Sequence, residues 1–318
     1  MSTLAPWQQR VYDQAVAALA SGRMGHALLL CGPEGMGKRA LAERLAAHVL
    51  GQGDPAHAQR AAQLLAAGTH PDLHVVTLEP NRDGSRLRSE IVIEQVRELS
   101  QQLALTPQYG EAQVAIIDPA EALNTAACNA LLKTLEEPAP GRYLWLVSSR
   151  PARLPATIRS RCQRLEVRLP PREEAMAWLL SRGHAQEAAA EALEAARGHP
   201  GLADAWLQGD GLALRREVAA DLAQLEAGRA DPVEVAQRWA GDGRAEERLR
   251  HAAEHAVARA ASGLTDPARL HKLAEWFDAA NRARDLLRST VRADLVMAEL
   301  LLAWRDGAAK TTGNRGNA

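Results

Sequence analysis

Apolar positions in the first half of the chain alternate between two patterns. Unbroken runs occur at Ala27–Cys31, Val114–Ile117 and Tyr143–Val147, and Leu73–Leu78 and Gln163–Val167 are strand-like as well. Short apolar runs closed by glycine or polar residues predict buried strands. Between them the apolar residues fall three and four apart: Trp7, Val11, Ala15 and Leu19; Leu41, Leu45 and Val49; Val92, Val96, Leu99 and Leu103; Cys128, Leu131, Leu132 and Leu135. That spacing predicts amphipathic helices, the last opened by Asn124 and Thr125 and stopped by Pro138. Strands alternating with helices predict a parallel sheet with helices on both faces. The stretch 51–70, rich in Gly, Ala, Gln and His, reads as an irregular or helical insertion, and Asn81–Arg88 as a loop.

After Pro170-Pro171 the strand pattern stops. Residues 172–208 predict two or three short helices around a turn at Gly198-His199-Pro200-Gly201, and 211–305 are helical apart from breaks near 228–232, 241–243 and 263–267. The last helix is expected to carry Leu287, Val291, Leu295, Ala298 and Leu302 on one stripe. The expected division is an α/β domain over 1–168, a small helical domain over 169–208, a helical domain over 209–306 and an unstructured tail over 307–318. The fold class is therefore α/β followed by all-α.

Between the first strand and its helix lies Gly32-Pro33-Glu34-Gly35-Met36-Gly37-Lys38-Arg39. The phosphate-binding loop reads G-x-x-x-x-G-K-[ST]. Gly32, Gly35, Gly37 and Lys38 suit it: glycines turn backbone N–H groups toward phosphate, and the lysine meets the β/γ oxygens. Arg39 stands where a hydroxyl would hold Mg²⁺, and puts a fixed positive charge in the cation's place. Asp118, closing a later strand, has the position of the acid that holds Mg²⁺ in such loops. Pro119 follows it, and Glu121, three residues on, is expected to face elsewhere.

The runs Asn129-Ala130-Leu131-Leu132-Lys133-Thr134-Leu135-Glu136-Glu137-Pro138 and Ser160-Arg161-Cys162 strongly resemble the bacterial clamp-loader family, AAA+ proteins that open the sliding clamp of the replicative DNA polymerase. His26-Ala27-Leu28-Leu29, Gly68-Thr69-His70-Pro71-Asp72 and Ile91 through Arg97 match it too, and the likeness covers about residues 1–210 well. It implies an AAA+ P-loop NTPase fold, a small helical lid, and a C-terminal helical collar that assembles subunits. In such ATPases a glutamate follows the Mg²⁺-binding acid, so Pro119 is a second departure; Leu202, near the place of a nucleotide-sensing arginine, is a third. These losses make the chain similar to a non-catalytic, stator-like member rather than to the gamma/tau motor subunits. By the resemblance, Arg161 is a finger reaching ATP on an adjacent motor subunit, with Ser160 and Cys162 holding its loop against the sheet. The implied partners are the gamma/tau motors and the delta subunit, with the sliding clamp and primed DNA reached through the complex. ATP and Mg²⁺ are expected at the neighbour's site and none bound to this chain. The alternative is a self-sufficient ATPase running on Lys38 and Asp118; a general P-loop kinase or recombinase fits the two runs poorly.

Composition narrows this further. Aromatic residues make up 3% of the 318, so the cores are expected to rest on Leu, Ala, Val and Ile. Trp239, Trp276, Phe277 and Trp304 are available for packing between collars or for the domain's own core. A net charge of −1 lacks the basic surplus of a chain that binds duplex DNA alone. Family members usually carry four zinc-binding cysteines in the insertion; residues 51–70 contain none, and His57 and His70 alone make a poor zinc site. No metal is expected, and Leu64 and Leu65 should pack the insertion. Cys31, Cys128 and Cys162 are too scattered for a disulfide framework, Cys128 reading as a buried thiol. With no signal-peptide pattern and no long apolar span, the expected location is the cytoplasm, away from any membrane.

Overall fold

A computed structural model describes residues 3–53, 55–81, 84, 87–261, 266–287 and 291–312. These fall into two compact units divided between Ala205 and Trp206. The α/β part and the small helical part share the first unit, and the division lies close to the expected start of the C-terminal helices.

In the first unit, helix α1 (Pro6–Ala20) precedes strand β1 (Ala27–Cys31), and α2 (Lys38–Leu50) and α3 (Pro55–Ala66) follow it. Then come β2 (Leu73–Val76), α4 (Ile93–Ala104), β3 (Gln113–Ile117), α5 (Thr125–Glu136), β4 (Arg142–Ser148), α6 (Ala156–Arg159) and β5 (Gln163–Glu166). The sheet order is β2-β3-β4-β1-β5, and every pairing is parallel. β1 is buried at all five positions, and so is β3, as a sheet covered on both faces requires.

Alternation along these strands sorts their side chains onto two cores. Leu29, Cys31, Ala115, Ile117, Leu144 and Leu146 meet α4 and α5 through Val96, Leu99, Leu103, Leu131 and Leu135. Leu28, Leu30, Val114, Ile116, Trp145 and Val147 meet α1 and α2 through Trp7, Val11, Leu41 and Leu45. The resulting α/β layering, followed by an all-α unit, is the fold class expected from the sequence. Asn124 caps α5, its side-chain oxygen accepting from the Ala127 N–H at 2.9 Å. The insertion is helical in α3; Leu65 joins the α1–α2 core, while His57 stacks on Tyr109 with ring centres 4.8 Å apart. Aromatic stacking thus helps to hold it, beside the apolar packing expected. Asp72 is fully buried and accepts from the Gln108 and Tyr109 N–H groups, both at 2.7 Å.

The first unit ends in the small helical segment that the resemblance implied as a lid: α7 (Arg172–Ser181), α8 (Gln186–Ala195) and the start of α9 (Pro200–Gln208). The second unit holds α10 (Gly211–Glu226), α11 (Pro232–Gly241), α12 (Ala245–Ala261), α13 (Pro267–Leu286) and α14 (Ala293–Thr312). Trp239, Trp276 and Trp304 are buried in this unit's own core, and only Phe277 is half-buried. The tryptophans are thereby committed within the unit.

Two expectations about its last helix need correction. The predicted stripe is not the buried face: α13 ends before Leu287, Val291 and Leu295 are exposed, and Met297, Leu300, Leu301 and Trp304 turn inward instead. The three-and-four spacing runs in phase across the end of α13 at Leu286 and the start of α14 at Ala293. Nor does an unstructured tail begin at 307, because α14 continues to Thr312; Ala308, Ala309 and Lys310 are good helix formers. Residues 313–318 lie outside the described ones. Among the described residues, no helix is long and apolar enough to cross a membrane, and no group of three or more His, Cys, Asp or Glu is placed to hold a metal ion.

Candidate nucleotide loop and arginine corner

Gly32, Gly35, Gly37 and Lys38 lie together in the turn from β1 into α2. Gly37 caps α2 with φ +71°, a conformation that side-chain-bearing residues seldom adopt. A Cβ there would also sit 1.8 Å from Gln8 Nε2. Gln8 is buried on α1, and its amide donates to the Met36 carbonyl at 2.9 Å while its oxygen accepts from the Ala5 N–H at 2.7 Å. One side chain therefore closes the start of α1 and braces the loop.

Lys38 is buried, and its ammonium donates to the Gly32 carbonyl at 2.9 Å, the Pro33 carbonyl at 2.7 Å and the Ser149 hydroxyl at 2.9 Å. An ammonium has three N–H groups, and three acceptors of this chain meet them. Burial pushes the Lys38 pKa down, opposed by the charges of Glu121, Asp118 and Glu34. Arg39 donates to Glu43 at 2.7 Å, and its Nη1 lies 3.6 Å from Asp118 Oδ2. Burial raises the Asp118 pKa, with Arg39 and then Lys38 acting against it.

Glu121 does not face elsewhere. A single 3₁₀ turn at Ala120–Ala122 folds it back, and its carboxylate accepts from the Ser149 N–H at 3.1 Å beside Lys38's hydroxyl partner. Its side chain is only 6% exposed, so its charge acts on Lys38 through little water.

The lid closes the loop from the other side. A Cβ on Gly201 would lie 1.9 Å from the Gly35 carbonyl oxygen, so the two backbones touch directly. The His199 ring bonds to the Glu34 backbone and accepts from the Leu202 N–H at 3.1 Å, and burial lowers its pKa. Leu202 lies in this turn.

Arg161, Ser160 and Cys162 form a second cluster, where α6 meets the end of α5. The Arg161 side chain is 36% exposed; Nη2 lies 2.6 Å from Glu136 Oε1, and Nη1 donates to the Thr157 carbonyl at 2.9 Å. Cys162 packs against the α4–α5 core, and burial pushes its thiol up to about 11. Ser160 departs from the expected role. It is exposed, and its hydroxyl donates to Thr157 at 3.2 Å, closing its own turn rather than tying the loop to the sheet.

Gln8, Ser149, Glu121, His199 and Gly201 complete the first cluster and Glu136 the second; none was marked as a site residue by the sequence. Glu136 stood inside a quoted run, but Gln8 and Ser149 carry no local signal, because their partners are 28 and 111 residues away.

The sequence profile of the family described as DNA polymerase III, delta subunit, matches residues 7–171. The chain belongs to that family. A DNA polymerase III subunit delta' of Pseudomonas aeruginosa is 44% identical over 185 residues, 56% of this chain and 53% of that protein. The subunit delta' of Escherichia coli (strain K12) is 37% identical over 223 residues, 69% and 65% of the two chains. A gamma/tau subunit of Mycobacterium bovis is 32% identical over 170 residues, 52% of this chain and 28% of that protein. The chain thus matches between about half and two thirds of the length of its delta' relatives.

Proposed function

We propose that this chain is a non-catalytic, stator subunit of the DNA polymerase III clamp loader. It lends Arg161 to ATP held by an adjacent gamma/tau motor subunit. The family supports membership of the complex, and the closure of the chain's own loop carries the non-catalytic reading: all three Lys38 N–H groups are engaged by Gly32, Pro33 and Ser149.

The residues present do not fit Mg²⁺ and ATP. A γ-phosphate would have to displace three acceptors from Lys38, and a cation beside Asp118 would meet the Arg39 guanidinium. The lid turn at Gly201 lies against the loop glycine at 35. On this reading the chain holds no nucleotide, Mg²⁺ or zinc of its own, and acts in the cytoplasm with gamma/tau, the delta subunit, the sliding clamp and primed DNA.

A guanidinium suits the role given to Arg161. It stays charged, and its planar fork matches phosphate oxygens. Fingers of this kind raise phosphoryl-transfer rates by about 10³–10⁵-fold at the site they serve. In a reconstituted loader, Arg161→Ala should slow single-turnover hydrolysis at one site and leave assembly intact. Unchanged hydrolysis and clamp loading would remove the finger from the account. Titrating the purified chain with ATP and Mg²⁺ tests the other half: micromolar binding with turnover would favour a self-sufficient ATPase.

A further inference from the structure

Glu136 is an acid where a helix least favours one. It is the last residue of α5, at the carbonyl end of the helix dipole, where negative charge is destabilising, and Glu137 follows it. Its carboxylate meets Arg161, 2.6 Å away. Glu166, the one acid within residues 138–172, is engaged by Arg164 and Arg168 on the far side of the Arg161 turn.

We propose that Glu136 is the positioning residue for Arg161, fixing the guanidinium before any neighbour arrives. The inference rests on the finger reading given above. Two anchors hold the group: the Glu136 carboxylate at the end of α5 and the Thr157 carbonyl in α6. Both supports are rigid, since Leu135 and Ile158, each next in sequence to an anchor, are buried in the α4–α5 core. One N–H on each Nη is thereby used. The Nε–H and the second hydrogen of each Nη are left to meet phosphate oxygens.

The arrangement has a kinetic meaning. An arginine free to rotate must be ordered when the subunits meet, and that ordering opposes catalysis. Held by Glu136, its order is set when the chain folds. Glu136 touches neither nucleotide nor reacting atoms, so its effect reaches the reaction only through Arg161.

The test uses the reconstituted loader with ATP, in single-turnover hydrolysis and steady state. Glu136→Ala should lower kcat at the served site by about 10- to 100-fold, the scale expected of a misplaced group, with KM for ATP unchanged. Glu136→Gln, which keeps an acceptor oxygen at the same reach, should recover most of the rate. Glu136→Ala combined with Arg161→Ala should be no slower than Arg161→Ala alone, as for two residues acting through one step. Wild-type rates for Glu136→Ala beside a slow Arg161→Ala would overturn the positioning role and leave the finger standing. A rate above wild type would also overturn it, because Glu136 would then restrain the guanidinium. Wild-type rates for both single variants would instead remove the finger reading itself. Should Glu136→Ala fail to assemble, Glu136→Asp draws the carboxylate back by one methylene: slowing supports the role, and an unchanged rate refutes it.

Discussion

The Arg39 guanidinium lies 3.6 Å from the Asp118 carboxylate, across the end of the β1–α2 loop. The pair joins the arginine that replaces the loop hydroxyl to the acid that keeps the Mg²⁺-binding position. It also explains how a half-buried acid stays compatible with folding, since burial raises the Asp118 pKa and Arg39 is the leading influence against it.

Restoring the missing hydroxyl should therefore not restore a nucleotide site. Arg39→Ser frees Asp118 but leaves Lys38 engaged by Gly32, Pro33 and Ser149. Equilibrium dialysis with Mg²⁺ and ATP should show no binding tighter than about 0.1 mM, roughly 5.5 kcal/mol. Micromolar affinity would mean that the lysine's own bonds yield easily.

Gly201→Ala tests the lid contact without removing a polar side chain. The new Cβ would stand 1.9 Å from the Gly35 oxygen and 3.0 Å from its carbonyl carbon, both backbone atoms. Relief needs a shift of the loop or the lid, at a cost of about 1–3 kcal/mol. Thermal unfolding should move down by several degrees, and an unchanged melting curve would show that the turn gives way freely.

Acid should weaken the first unit through its histidines. Burial lowers the pKa values of His70, His74 and His199 from 6.5. Below pH 6.5 the unfolded chain takes up protons that the folded chain refuses, so stability falls as pH drops from that value toward the lowered ones. Denaturant unfolding between pH 7.5 and about 5.5 should show this slope, and His199→Asn should make it shallower. An equal slope in that variant would exclude His199 as a contributor.

Thiol reactivity should be slow throughout the folded chain. Cys31 and Cys128 are buried, and Cys162 is half-buried with its thiol near 11. At pH 8 the Cys162 thiolate is about 10⁻³ of the total, and the thiolate is the reactive form. Labelling followed by mass spectrometry should find little modification before denaturant is added, and rapid modification of Cys162 would contradict its placement.

The fold was largely legible because its signals were local. Ala27–Cys31 and Val114–Ile117 are unbroken apolar runs lying on covered strands, and Asn124 announced the start of α5 with a cap. What escaped depended on distance or on short turns. The face of α14 is not legible in the sequence, because spacing alone cannot tell a helix from a gap crossed in step. The direction of Glu121 is hidden in the sequence because a three-residue 3₁₀ turn reverses the chain after Pro119. The loop glycines and Lys38 were visible in the sequence, whereas the partners of Lys38 were not: two are carbonyls, which no residue type reveals, and the third is Ser149.

Where most neighbouring segments of a protein meet through side chains, a small relative movement can be absorbed by rotamer changes. Gly35 and Gly201 meet as bare main chain. No side-chain torsion can take up a displacement at that point, so any approach of the two turns there must be met by the backbone of one or the other. A push delivered to α9 at its start would therefore meet the loop's main chain first.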